Sequence, residues 1–265
     1  MNSRAALPFL QELIVPTVSA EATVAPMLGR SRAFLMRCTD HSLYVVKFRE
    51  RELHARALAG EMLATRMGIW VGLPFPPPAF VGVGECLRSQ CGIRPGLQFG
   101  SGFVDRCLDM FPASMFGRIS NRQALAGMLV FDAWTGATEK RRVLFMRDME
   151  ESYQIVFLGN SHCFNSGLWN FSRCAVPPGL RRAAVAYHDV RSWESFEPWL
   201  TAIENFPEPL LLRLAAQVPP DWYRDDSAAL QELCQTLLER RAAVRRMIGA
   251  LHHSPINPFP NWEQA

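Results

Sequence analysis

The chain of 265 residues is predicted to be an α+β protein of two unequal lobes. A small β-rich N-terminal lobe with one internal helix takes residues 1–100, and a mainly helical lobe takes residues 101–265. Three observations lead there. Short β-prone runs crowd residues 21–49, a single helix-forming stretch follows them, and beyond residue 100 apolar residues recur at helical spacing.

The runs ATVAPML, RAFLMRC and SLYVVKF alternate with turn signals at Gly29-Arg30-Ser31 and Thr39-Asp40-His41, which predicts two or three antiparallel strands. Arg49 to Met67, rich in Ala, Leu, Met, Glu and Arg, reads as a helix closed by Gly68. The prolines Pro74, Pro76, Pro77 and Pro78 forbid helix and ladder alike. After them AFVGVGECLRSQCGIR reads as a further strand pair. In the second lobe Arg122–Trp134 is a strongly apolar helix, and Arg142–Met146 and Tyr153–Leu158 are strand-like runs around an acidic turn. Arg181–Tyr187, Ser195–Ile203 and Leu210–Ala216 read as helices separated by prolines. Ser227–Ile248 reads as the longest helix, its Arg240, Arg241, Arg245 and Arg246 forming a solvated C-terminal face. The tail SPINPFPNW is loop, and the aromatics of GLWNFSRC with Trp193, Phe196 and Trp199 read as packing.

A hydrophobic content of 49% with 20% charged residues is globular, not disordered. The net charge of +3 gives no ground for direct nucleic-acid or membrane binding, and no apolar run approaches the roughly 18–20 residues that span a bilayer. The stretch ALPFLQELIVPTVSA imitates a signal peptide, but Pro8, Gln11, Glu12 and Pro16 interrupt its apolar core. Seven cysteines include no Cys-x-x-Cys pair, and neither Cys86/Cys91 nor His162-Cys163 finds partners for a zinc site. Reduced thiols in a cytoplasmic protein are the expectation.

Lys47 is the residue that demands explanation. It stands in the apolar strand Ser42–Phe48, and a buried ammonium costs several kcal/mol unless an anion meets it. The following helix carries Glu61 beside Ala57 and Ala64, on the flank of the face that packs on the sheet. Glu50 and Glu52 are nearer in sequence but sit at the helix start, where solvated acids are usual. A strand lysine paired with a glutamate on the next helix is how protein kinases hold the α- and β-phosphates of ATP. A Lys47 at a sheet edge, snorkelling to water, is the alternative.

YVVKF, the helix with Glu61, and MGIWVGLPFPPPAFVGV resemble the N-lobe of the HipA-like kinases. The resemblance continues through GLQFGS, NRQALAGMLVFDAWTG, YQIVFLGNSHCFNSGLWNF, WESFEPW and PPDWY, from about residue 20 to residue 250. It implies a bilobal protein-kinase-like fold and ATP- and Mg2+-dependent phosphorylation of serine or threonine hydroxyls. Lys47 then matches the phosphate-binding lysine and Glu61 its partner. The hairpin Gly29-Arg30-Ser31 falls where a phosphate-covering turn lies, though one glycine equally makes a simple hairpin.

The catalytic pattern departs from that family. After Phe131-Asp132-Ala133-Trp134-Thr135-Gly136 the family carries Asn-x-Asp-x-Arg, and this chain has Ala137-Thr138-Glu139-Lys140-Arg141. Arg141 is kept, and Glu139 replaces the hydroxyl-activating aspartate with a carboxylate one methylene longer. Ala137 offers a metal nothing. The aspartate that bridges Mg2+ to phosphate is Gly159 here; Asn160 is a substitute metal ligand only if the strand bulges, and Asp132 remains as an acid near the site. His162 is a further group near the cleft. The implied cofactor is therefore ATP, with Mg2+ put in question by Ala137 and Gly159. Two functions follow: a divergent kinase acting on a protein substrate with Glu139 as base, or a pseudokinase that binds nucleotide and a protein partner.

Overall fold

Period-two alternation in the N-terminal third closes into a barrel. The computed structural model describes residues 14–28, 31–49, 52–92, 94–139, 141–148, 151–171 and 184–263. Strands β1 (Thr17–Pro26), β2 (Phe34–Cys38), β3 (Leu43–Lys47), β4 (Pro78–Val83) and β5 (Gly96–Gly102) run in the order β1-β2-β3-β5-β4. β1 then returns to pair in parallel with β4, Thr17 opposite Phe80 and Ser19 opposite Gly82, so the barrel leaves no open edge. Met36, Tyr44, Val46, Phe48, Ala79 and Val81 fill its interior. Along β3, Tyr44 and Val46 are buried inside, whereas Leu43, Val45 and Lys47 are half-buried on the other face. Strand parity thus sends Lys47 away from the barrel core.

Helix α1 (Glu52–Trp70) packs beside the barrel, and every residue from Leu58 to Gly68 is buried. Burial all round is the mark of a helix held between two layers, here the barrel and the helical lobe. Gly68 does not close the helix. It lies within it because the ring of Phe75 sits 2.2 Å from where a Cβ would be, and the chain reverses instead at Gly72, φ +84°. The proline connector then joins the lobes: Phe157 donates its N–H to Pro74 O at 2.9 Å, and Phe75 packs on Phe131 and Phe157.

The expected strand pair after the prolines is only half a pair. β4 ends at Val83, Glu85–Cys91 forms helix α2, and Gly92 in the left-handed region donates its N–H to Arg88 O at 2.8 Å to close it. The second strand, β5, begins only at Gly96.

In the second lobe β6 (Cys107–Leu108), β7 (Arg142–Arg147) and β8 (Tyr153–Leu158) form a small sheet. Helix α3 (Ala124–Thr135) is wholly buried at the lobe's centre. Around it stand α4 (Trp199–Glu204), α5 (Glu208–Ala216), α6 (Ser227–Arg241) and α7 (Val244–His252). The expected helix Ser195–Ile203 is divided by Pro198 into a 3-10 turn, Trp193–Phe196, and α4. Residues 184–187 make another 3-10 turn, and 181–183 fall outside the described residues. The expected long helix breaks at Ala242–Ala243, which lets α7 bury Val244, Ile248 and Leu251 on a separate line.

Two of the four arginines expected in solvent, Arg240 and Arg241, turn inward to backbone carbonyls, and a third, Arg245, is half-exposed in ion pairs. Arg240 donates to Ala133 O at 2.7 Å and Trp134 O at 2.9 Å, satisfying carbonyls at the end of α3, and lies over the Phe171 ring. Arg241 donates to Phe206 O, and Arg245 pairs with Glu204 and Glu197. Cys38, Cys163 and Cys234 are buried thiols, and burial pushes Cys38 and Cys234 up to about 11. Among the described residues no helix is long and apolar enough to cross a membrane.

Candidate functional site

Lys47 meets Glu61. β3 delivers the ammonium to the face against which α1 packs, and the two side chains form an ion pair. Lys47 is 16% exposed and Glu61 only 2%. Burial pushes the Glu61 carboxyl up, but Lys47 outweighs it, helped by backbone N–H groups of Asn160 and Ser161, and the net shift is downward. Asn160 N donates to Glu61 Oε2 at 2.8 Å. The carboxylate therefore faces the barrel with one oxygen and the helical lobe with the other.

A buried polar chain continues from there into the second lobe. Asn160, 1% exposed, donates from Nδ2 to Thr65 Oγ1 at 2.8 Å and accepts at Oδ1 from Arg141. Arg141 also donates to Asp132 Oδ1 at 2.6 Å, Gly159 O at 3.0 Å and Cys163 Sγ at 3.0 Å, between the rings of Phe75 and Phe131. Burial opposes its charge, yet Asp132 overrides that and holds the guanidinium more firmly protonated than usual. Asp132 and Arg141 are thus interior, where their ion pair ties the loop that carries Glu139 to α3. Asn160 likewise stands with its amide turned inward, its oxygen and nitrogen both engaged by protein.

Glu139 has the opposite character. Its carboxylate is 47% exposed and lies 3.5 Å from His162 Nε2. His162 Nδ1 is buried without a hydrogen-bond partner. Burial lowers the affinity of this imidazole for a proton, against the raising influence of Glu139 and Glu61, and Lys47 and Arg141 add to the lowering. Thr138 N donates to His162 O at 3.0 Å, tying the Glu139 loop to the segment after β8.

Gly159, φ +80°, has nothing within 4 Å of where a Cβ would stand, so this position faces open space. Ala137 is buried and bears no donor oxygen. Among the described residues no three His, Cys, Asp or Glu side chains converge as a metal cage. Mg2+ takes carboxylates, carbonyls and waters in near-octahedral order. A glycine, an alanine and an amide already bonded to Thr65 and Arg141 do not fit that ion.

Of the remaining candidates, Gly29 and Arg30 lie outside the described residues, and Ser31 is exposed. Phe34 pairs with Val46, and this register puts the start of β2 at the Lys47 end of β3. Thr65 joins the site without having been singled out in the sequence, and Cys163, weighed there only as a zinc ligand, joins it as an acceptor for Arg141. Thr65 had a signal, since it lies four residues after Glu61 on the same helix face; Cys163 had none.

Residues 24–143 match the family model described as HipA-like kinase. Among solved structures the chain is similar to the Helicobacter pylori proinflammatory kinase CtkA, with 13% identity, a TM-score of 0.52, and coverage of 90% of this chain and 100% of that one. It is also similar to the Golgi casein kinase solved with Mn/ADP bound, with 10% identity, a TM-score of 0.48, and coverage of 96% and 76% respectively. A comparison with curated protein sequences gives no match. The chain is therefore a kinase-like protein: it resembles the HipA-like kinases over residues 24–143 and has the α+β bilobal kinase fold.

Proposed function

We propose that this kinase-like protein binds ATP phosphates at Lys47 with little dependence on Mg2+, and acts as a pseudokinase that engages a protein partner. One observation carries the reading. The Lys47–Glu61 ion pair is formed, while Gly159 and Ala137, at the positions where the family resemblance puts metal ligands, offer no ligating side chain. An ammonium has three N–H donors; Glu61 takes one and fixes the direction of the others toward the exposed side of the pair. A phosphate oxygen there gains a charge-assisted hydrogen bond. Phosphoryl transfer depends on positioning and on neutralising charge at the transferred group, and the residues here supply the first better than the second.

A second reading, slow phosphotransfer to a serine or threonine hydroxyl, draws on Glu139, the carboxylate at this site that reaches solvent. Lengthening the base by a methylene displaces it by roughly 1 Å, a misplacement worth about a hundredfold in rate.

Thermal unfolding with ATP separates the two. The expected result is equal stabilisation by ATP with Mg2+ and with a chelator, and none by adenosine. Stabilisation that requires Mg2+, together with phosphate transfer lost in Glu139→Gln, overturns the pseudokinase reading. Gly159→Asp is the complementary test. Its side chain enters open space at a cost of about 1–2 kcal/mol for the left-handed backbone, and it is expected to make ATP stabilisation depend on Mg2+.

A further inference from the structure

We infer that Asn160 is a positioning residue that keeps the Lys47–Glu61 pair assembled before any ligand arrives. In protein kinases the placement of the glutamate-bearing helix is a control point, because the lysine–glutamate pair must form for activity. Here the part of that helix around Glu61 is bound to the second lobe at two points one turn apart, and Asn160 supplies both, one from its backbone and one from its side chain. Asn160 N holds Glu61 Oε2 at 2.8 Å, and Asn160 Nδ2 holds Thr65 Oγ1 at 2.8 Å. Contacts at positions 61 and 65 lie about 5–6 Å apart along the axis, so they fix the helix in rotation as well as in distance.

Asn160 is itself anchored. Its Oδ1 accepts from Arg141, which Asp132, Gly159 O and Cys163 Sγ hold from the other side. The whole chain is out of water: Glu61, Thr65, Arg141 and Asn160 are each 5% exposed or less. Hydrogen bonds in such surroundings are costly to break singly, because each orphaned partner loses about 1–3 kcal/mol. Two surface ion pairs, Arg56–Asp226 at 2.7 Å and Arg49–Asp221 at 2.9 Å, tie the same part of the chain to the second lobe, but exposed pairs contribute little. Farther along the helix, buried Arg66 donates to Leu214 O at 3.4 Å and Gln217 Oε1 at 3.0 Å, which anchors its C-terminal half; beside Glu61 the buried tie is Asn160. The inference rests on Lys47 as the phosphate-binding group for its functional meaning.

Hydrogen exchange of α1 tests it, with wild type, Asn160→Leu and Thr65→Val each measured in chelator with and without ATP. Leucine keeps the branched shape of asparagine with methyls in place of the amide, and leaves the backbone N–H to Glu61 and the bonds of Arg141 to Asp132 and Gly159 O. Thr65→Val removes only the helix-side partner and carries the test if Asn160→Leu does not fold. Wild-type α1 amides are expected to be well protected already without ATP, and ATP is expected to slow them by no more than it slows α3. Both variants are expected to exchange at least about tenfold faster in α1 without ligand, with α3 unchanged. ATP is expected to restore α1 protection in Asn160→Leu. Equal α1 exchange in variants and wild type overturns the inference, as does a wild-type α1 that becomes protected only with ATP. Fast α1 exchange in the variants that ATP fails to slow leaves the positioning role standing and removes the nucleotide-binding reading.

Discussion

Arg141→Met is expected to leave little folded protein. The guanidinium is 3% exposed and bonds Asp132, Asn160, Gly159 O and Cys163 Sγ. Without it Asp132 keeps a carboxylate in the interior and loses the cation beside it, a loss of about 3–5 kcal/mol. The orphaned oxygens of Gly159 and Asn160 add about 1–3 kcal/mol each. Set against a total stability of about 5–15 kcal/mol, the sum removes most of it. Urea unfolding followed by near-UV circular dichroism measures the effect. The double variant Asp132→Leu with Arg141→Met is expected to recover a good part of the stability, since an apolar pair avoids the buried charge. Should Arg141→Met unfold within about 1 kcal/mol of wild type, the buried network is not what joins α3, β8 and the Glu139 loop.

The pairing of Lys47 with Glu61 was legible in the sequence because both halves of it are local patterns. Parity along Ser42–Phe48 and helical spacing around Glu61 each define one face, and a short connection leaves the two elements as neighbours. The same parity argument separates Gly159, facing open space, from Asn160, facing Thr65 and Arg141. Other features had no local signature. ECLRSQC is too short for its period to tell helix from strand, and only Gly92 hinted at a helix end. The destinations of Arg240, Arg241 and Arg245 depend on which carbonyls and acids α3, α4 and the turn at Phe206 present to α6 and α7, which is tertiary information. Closure of the barrel rests on a parallel β1–β4 pair more than fifty residues apart in sequence, and no local pattern announces it. Phe164, Asn165 and Ser166 all have φ between +53° and +55°, values that suit Asn but that neither Phe nor Ser favours. Packing imposes them, with Phe164 buried against Gly60 of α1.

Lys47→Met is expected to destabilise the protein by about 3 kcal/mol near neutral pH, the lower end for a broken buried pair. The backbone N–H groups of Asn160 and Ser161 still meet Glu61, which is why the loss stays at that end. Glu61→Gln is expected to cost less, because Lys47 is partly exposed and an ammonium freed from its partner can turn to water. Both variants are expected to lose stabilisation by ATP, so the ranking in stability and the common loss of binding are read independently. Acid distinguishes a buried pair from a surface one. In the wild type the Glu61 carboxyl is held below the usual glutamate value of about 4.3. Its contribution is thus complete above that value and disappears as the pH falls through the lower, folded-state value. In Lys47→Met burial acts with only the backbone to oppose it, so the folded-state pKa rises and the native protein takes up a proton before the unfolded chain does. The penalty of the variant then shrinks as the pH falls, while the wild type is losing its own gain. The gap between the two unfolding curves is therefore expected to be widest near neutrality and to narrow steadily below about pH 5. A gap that is small at neutral pH, or one that stays constant into acid, means that Lys47 is a solvated cation and that Glu61 is held by backbone alone.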